Sequence, residues 1–178
     1  MKIIKLTVIL GAFIMFSNCS NNSLNYYEDT KPKADIKEYF NGNIKAWGIV
    51  QDWRGRVVER FDIKMVGNWE GDTGTLTEHF DYYSGKKQER VWTIKKLPDG
   101  GYEGTASDIL DKATGKTKGN ATRWNYVMDL PVDNTTYRIS FDDWMWLMND
   151  GVMINRSYLR KFGITVSELT IFMQKQKP

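Results

Sequence analysis

One cysteine, Cys19, is too few for an internal disulfide, so no disulfide framework holds this chain together. One histidine, His79, leaves no imidazole cluster for a transition-metal site. A Ser-His-Asp triad would have to be built on that single residue, and no Gly-x-Ser-x-Gly elbow accompanies it. The longest uncharged apolar run, residues 6–16, has eleven residues, short of the roughly 20 that span a bilayer as a helix. There is no Asp-rich calcium loop and no phosphate-cradling glycine loop; DWRGR and GDTG are ordinary turns. Prolines number only four, while there are 15 glycines.

What is present is aromatic and turn-rich. The chain carries seven Trp, nine Tyr and eight Phe in 178 residues, a length that suits one domain. Hydrophobic residues make up 41% and charged residues 26%, enough apolar matter for a core. That mixture favours short strands joined by tight turns. Formal charge is +3, and setting aside Lys2 and Lys5 of the N-terminal segment leaves 23 basic residues against 22 acidic. No basic block stands out, so the footprint of a nucleic-acid binder is missing.

The N-terminus reads as an export signal. MKIIK is a basic head, LTVILGAFIMF an apolar centre, and Phe16-Ser17-Asn18-Cys19 is similar to the lipobox of bacterial lipoproteins. In that pattern Cys19 receives a diacylglycerol and the chain is cut before it. Asn18 stands where Gly or Ala is usual, and Phe16 where Leu is usual. Ser20 follows, and in lipoproteins a residue other than Asp there implies delivery to the outer membrane. The expected organisation is a signal peptide over 1–18, a lipidated polar tether over 19–33 and a barrel domain over 34–178. The expected location is the cell envelope, on the periplasmic face of the outer membrane, with the membrane as partner through Cys19. Several acyl chains on one Cys anchor stably.

Beyond residue 40 the period is two. ADIKEYF (34–40) predicts one or two helical turns. Strands are expected over 44–52, 57–69, 71–83, 88–97, 101–110, 117–130, 136–148, 151–163 and 165–175, with a turn at Asp111–Gly115. The alternation is plainest where Phe61, Ile63 and Met65 oppose Arg60, Asp62 and Lys64, and where Trp124, Tyr126, Met128 and Leu130 share one face. Some eight to ten strands in an antiparallel meander avoid open edges by closing. The expected fold is all-β, an up-and-down barrel with a short N-terminal helix; a β-sandwich is the alternative.

The runs YFNGNIKAWGIVQDWRGRVVERF, GNWEGDTGTLTEHFDYYSG, RVWTI, GYEGTASD and SFDDWMWLMNDGVMINRSYLRKFGITVSELTIF carry a resemblance across residues 34–175. The chain resembles the bacterial lipoprotein family numbered thirty-eight thirty-three among domains of unknown function. The resemblance implies a lipocalin-like barrel on an exported, lipid-anchored protein, with no established activity. It also implies a setting of lipid chemistry, through neighbouring enzymes similar to fatty-acid-modifying methyltransferases. Lipocalins themselves place Gly-x-Trp on the first strand under an Arg of the last. Here four residues separate Gly42 from Trp47 and the last strand has no Arg, leaving Arg156 or Arg160 as substitutes.

The residues that face a ligand are expected among Trp47, Trp92, Trp124, Tyr126, Asp142, Asp143, Trp144, Trp146, Asn155 and Arg156. Large aromatics fill a core well and wall an apolar pocket equally well. Asp142 and Asp143 are adjacent, so at most one points inward. An inward Asp beside Arg156 would be a buried ion pair, read first as a structural clasp and second as a reader of a polar headgroup. FDDWMWLM is apolar on both faces, so this hairpin is either buried on both sides or touches a ligand or membrane. His79 reads as a surface or rim residue.

Two functions follow. The leading one is a non-catalytic barrel that binds a lipid-like or other small apolar ligand, without cofactor, metal or catalytic residue. The alternatives are a barrel isomerase or hydrolase using a carboxyl of raised pKa, from Glu78, Asp108, Asp142 and Asp143, or a structural envelope lipoprotein.

Overall fold

A computed structural model describes residues 23–132 and 135–177. Residues 1–22, with the signal, the lipobox and Cys19, lie outside the described residues.

Ten antiparallel strands follow one another around a closed barrel. They are β1 (Gly42–Asp52), β2 (Val57–Glu70), β3 (Thr73–Tyr82), β4 (Lys87–Lys96), β5 (Tyr102–Thr105), β6 (Ile109–Lys118), β7 (Ala121–Val132), β8 (Thr135–Leu147), β9 (Val152–Lys161) and β10 (Ile164–Lys175). The ring closes where β1 pairs with β10, from Ile44 opposite Lys175 to Asp52 opposite Ser167. Every strand then has two neighbours, which removes the two end edges of the sheet. The short β5 pairs only with Thr93–Lys96 of β4 and Ala113–Gly115 of β6, so the first half of β4 has no strand partner on that side. This is the expected all-β up-and-down barrel, consistent with a lipocalin-like architecture, and not a sandwich.

Sequence alternation explains which residues fill it. Phe61, Ile63 and Met65 are buried inside while Lys64 and Val66 of the same strand are exposed. Ile44, Ala46, Leu76, Ile94, Trp124, Met128, Met153 and Met173 join them in one core. Each large apolar side chain buried this way contributes about 1.5–3 kcal/mol.

A single helical turn, α1 (Ile36–Tyr39), plugs one end. Its start is capped by the Asp35 carboxylate, which accepts from the Glu38 N–H at 3.1 Å. Asp35 also meets Lys96 Nζ at 2.7 Å and the Tyr102 hydroxyl at 3.3 Å. Tyr39 donates to the Gly151 carbonyl at 3.2 Å, and Lys175 Nζ reaches the carbonyls of Glu38, Tyr39 and Asn41 at 2.6–2.8 Å. The plug therefore grips strand ends around the ring. A Cβ at Gly67 would sit 1.6 Å from the Phe40 carbonyl oxygen, so this β2 position must be glycine for the plug to seat.

The structure departs from the expected strands in one region. The strand expected over 101–110 is broken at 106–108, where β5 turns into β6; the turn expected at Asp111–Gly115 lies inside β6; and 117–130 is two strands, not one. The reversal is at Gly119-Asn120, with Lys118 opposite Ala121. Gly119 has φ +54, the first position of a two-residue hairpin turn that favours glycine. Asp111 also has positive φ, 55, and the β6–β7 register slips between Leu110 and Thr114. The residues from Asp111 to Ala113 thus form a bulge, not a reversal, and Gly115 pairs regularly with Trp124.

Residues 23–33, expected as part of a flexible tether, lie on the barrel wall. A short 3₁₀ turn (Leu24–Tyr27) sets Tyr27 against Trp144 and Trp146, ring centroids 6.0 and 6.4 Å away. The Asn120 N–H donates to Thr30 Oγ1 at 2.9 Å and the Ala34 N–H to the Gly119 carbonyl at 2.8 Å. Lys118 and Glu28 add an exposed ion pair. Apolar and hydrogen-bonding matter on the outer wall holds this strap; composition alone reads it as a linker.

Candidate functional site

Strand parity divides the expected site residues into two groups. Trp92, Trp124, Tyr126, Asp143 and Asn155 line a cavity inside the barrel. Trp47, Asp142, Trp144, Trp146 and Arg156 stand on the outer wall. Register fixes this: Asp143 faces Trp124 and Ser157 across its two neighbouring strands, while Trp144 faces Arg123 and Arg156.

The outer group has structural partners. Asp142 pairs with Arg123 at 2.6 Å and Arg160 at 3.0 Å, and Arg156 pairs with Glu168. The expected pair between an inward Asp and Arg156 is therefore corrected. Asp143 points into the barrel while Arg156, between the inward Asn155 and Ser157, points out, so the two lie on opposite faces of the sheet and Arg156 finds its acid on β10 instead. Trp144 is only 1% exposed, roofed by Tyr27, stacked on Trp146 and covered by the Arg123 guanidinium 4.9 Å from its ring. Its apolar outer face is explained by the strap. Trp47 rests on Phe172 at 5.8 Å with Lys45 Nζ 4.7 Å above its ring, so a lysine of the same strand supplies the cation sought from Arg156 or Arg160. His79 is exposed and meets Glu89 at 3.2 Å.

The inner group surrounds a cavity of about 100 Å³. Its apolar wall includes Met65, Leu76, Ile94, Trp124, Leu169 and Met173. Its polar wall is Glu78, Arg90, Asp143, Asn155 and Ser157. Glu78 lies opposite Arg90 across β3 and β4. Glu78 accepts a hydrogen bond from Trp92 Nε1 at 3.2 Å. Arg90 donates to Asp108 at 2.6 and 2.8 Å, and the second oxygen of Asp108, Oδ1, is buried with no hydrogen-bond partner among the described residues. Asp143 accepts from Ser157 Oγ at 2.6 Å and from Asn155 Nδ2, which also donates to the Trp144 carbonyl.

These surroundings move the acids. Burial pushes the Glu78 carboxyl up to about 7, against the opposing pull of Arg90 and the Trp92 indole N–H. Burial likewise raises Asp143 to about 6, although Ser157 and Asn155 favour its charged form. Neighbouring negative charge adds to both shifts, Asp108 and Asp143 to that of Glu78 and Asp142 to that of Asp143. Burial also holds the Tyr126 phenol protonated, well above its ordinary range. The chamber thus combines apolar and aromatic walls, one guanidinium and two carboxyls that exchange protons near neutrality.

Of the four carboxylates expected as acid or base candidates, Glu78 and Asp143 reach the chamber, Asp108 braces Arg90, and Asp142 is outside. Arg90 and Ser157 were not singled out by the sequence. In QERVWTIKKL both faces carry an apolar residue, Trp92 and Val91, so alternation alone does not decide which way Arg90 points.

Fold and chamber together define a class: a closed ten-stranded antiparallel barrel with an internal, polar-lined apolar cavity. The sequence matches the family model described as Protein of unknown function (DUF3833) over residues 13–175, and the chain belongs to that family. No curated protein matches it.

Proposed function

We propose that this barrel binds a small, mainly apolar ligand with one polar end, and that it does so as an exported lipoprotein anchored through Cys19 on the periplasmic face of the outer membrane. The observation that carries the binding reading is the chamber itself. Apolar walls with a few convergent polar groups are the usual make-up of a ligand site. At about 100 Å³ it is well below the roughly 300–1,000 Å³ of drug-sized sites, so it takes a short group or the end of a longer chain. Met65, Met145 and Met173 in its wall are unbranched and polarizable, the side chains that yield most readily to a guest. The lipid anchor is supported by the basic head, apolar centre and Cys19 of the N-terminal segment.

The test is native mass spectrometry of cell-extracted protein, followed by titration with octanoic acid and octylamine. Trp92 and Trp124 in the wall serve as fluorescent reporters. A retained small molecule, or saturable quenching that Ser157→Leu abolishes by filling the chamber, is the expected result. Empty protein and a flat titration with both probes overturn the reading. Acylation at Cys19, read by mass spectrometry of the mature N-terminus, tests the anchor separately.

The raised carboxyls favour a second reading, an acid–base enzyme acting on the same ligand. Glu78 near 7 can take or give a proton at neutral pH. Glu78→Gln that keeps ligand binding but loses conversion of the bound molecule distinguishes this from simple carriage.

A further inference from the structure

The two ends of the barrel differ in chemistry. At the α1 end the β2–β3, β4–β5 and β8–β9 turns carry Glu70 and Asp72, Asp99, and Asp150, with no aromatic residue in any of them. At the opposite end, three hairpins adjoin in the ring: β9–β10, β1–β2 and β3–β4. Each tip presents one exposed aromatic: Phe162 at 94%, Trp53 at 70% and Tyr83 at 60%. Exposed Ile164, Val57 and Val58 flank two of them.

Each of these tips also carries two cations. One of each pair is neutralised: Arg56 by Asp52 at 2.6 Å, Lys87 by Asp81 at 2.9 Å and Arg160 by Asp142 at 3.0 Å. The other, Arg54, Lys86 or Lys161, has no ion-pair partner among the described residues. Those three lie against rings instead, 4.5 Å from Trp53, 5.2 Å from Tyr82 and 4.1 Å from Tyr137. The β1–β2 and β9–β10 tips therefore keep surplus positive charge beside an exposed apolar ring. At the β3–β4 tip the Glu59 carboxylate, which accepts from Ser84 Oγ at 3.3 Å, adds an acid, and Arg60 lies 5.0 Å from the Tyr83 ring. Phe162 holds φ 52, a conformation that disfavours a bulky residue, and turns its ring into solvent.

We infer that this end of the barrel docks on an anionic lipid bilayer, with Phe162, Trp53 and Tyr83 entering the headgroup layer and Arg54, Lys86 and Lys161 facing the lipid phosphates. Scattered exposed apolar residues need no explanation, but three aromatics on three adjoining tips form a patch. Neighbouring hairpins in a sheet are spaced by roughly 10 Å, so the three rings do not form one groove for a peptide. Phe162 and Trp53 are the most exposed, while Tyr83 leans on β2, its hydroxyl donating to Asp62 Oδ1 at 3.0 Å and its ring 5.0 Å from Arg60. Aromatic rings with adjacent basic groups are the make-up of proteins that sit at a membrane–water interface. The inference stands on this surface alone and does not require the chamber to bind anything.

The experiment uses the full chain with Cys19→Ser, which leaves no other cysteine. A single reporter cysteine is then placed at the tip (Ser84→Cys) or at the opposite end (Asp72→Cys) and labelled with an environment-sensitive fluorophore. On vesicles of equimolar phosphatidylcholine and phosphatidylglycerol, the label at 84 shifts to the blue and the label at 72 does not. Phosphatidylcholine alone, or high salt, removes the shift. Arg54→Gln, Lys86→Gln and Lys161→Gln each weaken vesicle affinity by about fivefold at low salt. Trp53→Ser with Tyr83→Ser and Phe162→Ser abolishes the shift, while circular dichroism confirms that these exposed changes leave the barrel folded. No shift at 84, an equal shift at 72, or a shift indifferent to the tip variants overturns the inference. So does a shift at 84 that appears without vesicles as protein concentration rises, which would mark a face between copies of the chain.

Discussion

Glu78 and Asp143 make this fold more stable in mild acid than at neutrality. Both carboxyls have pKa values raised by burial, to about 7 and about 6, so the folded chain binds more protons than the unfolded chain between about pH 4 and 7. Stability then falls as pH rises through that window, and the full penalty is present above it. For Glu78 it is on the order of 3 kcal/mol. Asp35 works in the opposite sense at lower pH. Burial pushes it up, but Lys96 and the Glu38 N–H outweigh that and hold it below its ordinary value, so its contribution is lost as acid protonates it. Urea unfolding followed from pH 4 to 8 is expected to show declining stability. Glu78→Gln should flatten the decline and stabilise the protein at pH 8. An unchanged slope in that variant would assign the decline elsewhere. The sequence named Glu78 and Asp143 among the acids, because carboxyls inside alternating apolar strands are conspicuous. It did not separate Asp143 from Asp142: neighbours on a strand differ only by parity, and parity is set by the ring's register.

Elements were legible wherever apolar and charged residues alternate. β2 and β7 show this best, with Phe61, Ile63 and Met65 or Trp124, Tyr126 and Met128 inside. Between Thr114 and Asn120 the chain is small or polar throughout, so no periodicity locates the reversal there. The strap was not legible for a related reason: SLNYYEDTKPK is polar by composition, yet its Tyr27 joins Trp146 and Arg123 in covering a fully buried tryptophan. A Cβ at Gly119 would lie 1.6 Å from the Tyr27 carbonyl oxygen, and the residue also holds φ +54. Gly119→Ala is therefore expected to displace the strap while the ten strands remain paired. We expect a loss of about 1–3 kcal/mol and faster protease cleavage within 23–33. A red shift of tryptophan emission should follow as Trp144 meets water. Rapid cleavage in the wild-type chain as well would show that the strap contributes little.

Closure belongs to the whole molecule, since the contact that completes the ring joins strands more than a hundred residues apart in the chain. β1 must find β10 after every other hairpin has local means to form, and long-range strand pairing of this kind is slow and exposes edges meanwhile. Both edges vanish only when Ile49 lies opposite Thr170 and Arg156 opposite the same residue on the other side. A proline at 170 removes one ladder hydrogen bond and clashes in a strand with neighbours on both sides. The local cost is of order 3 kcal/mol, but opening the ring also exposes the apolar lining and two unpaired strand edges. Thr170→Pro is thus expected to give oligomers on size-exclusion chromatography and dye-accessible apolar surface, not a slightly weaker monomer. Ser84→Pro, in an exposed turn, should leave the protein monomeric. A monomeric Thr170→Pro with an intact near-ultraviolet spectrum would mean that nine strands hold the core without the closing pair, and the ring would then be a consequence of the packed interior and not its condition.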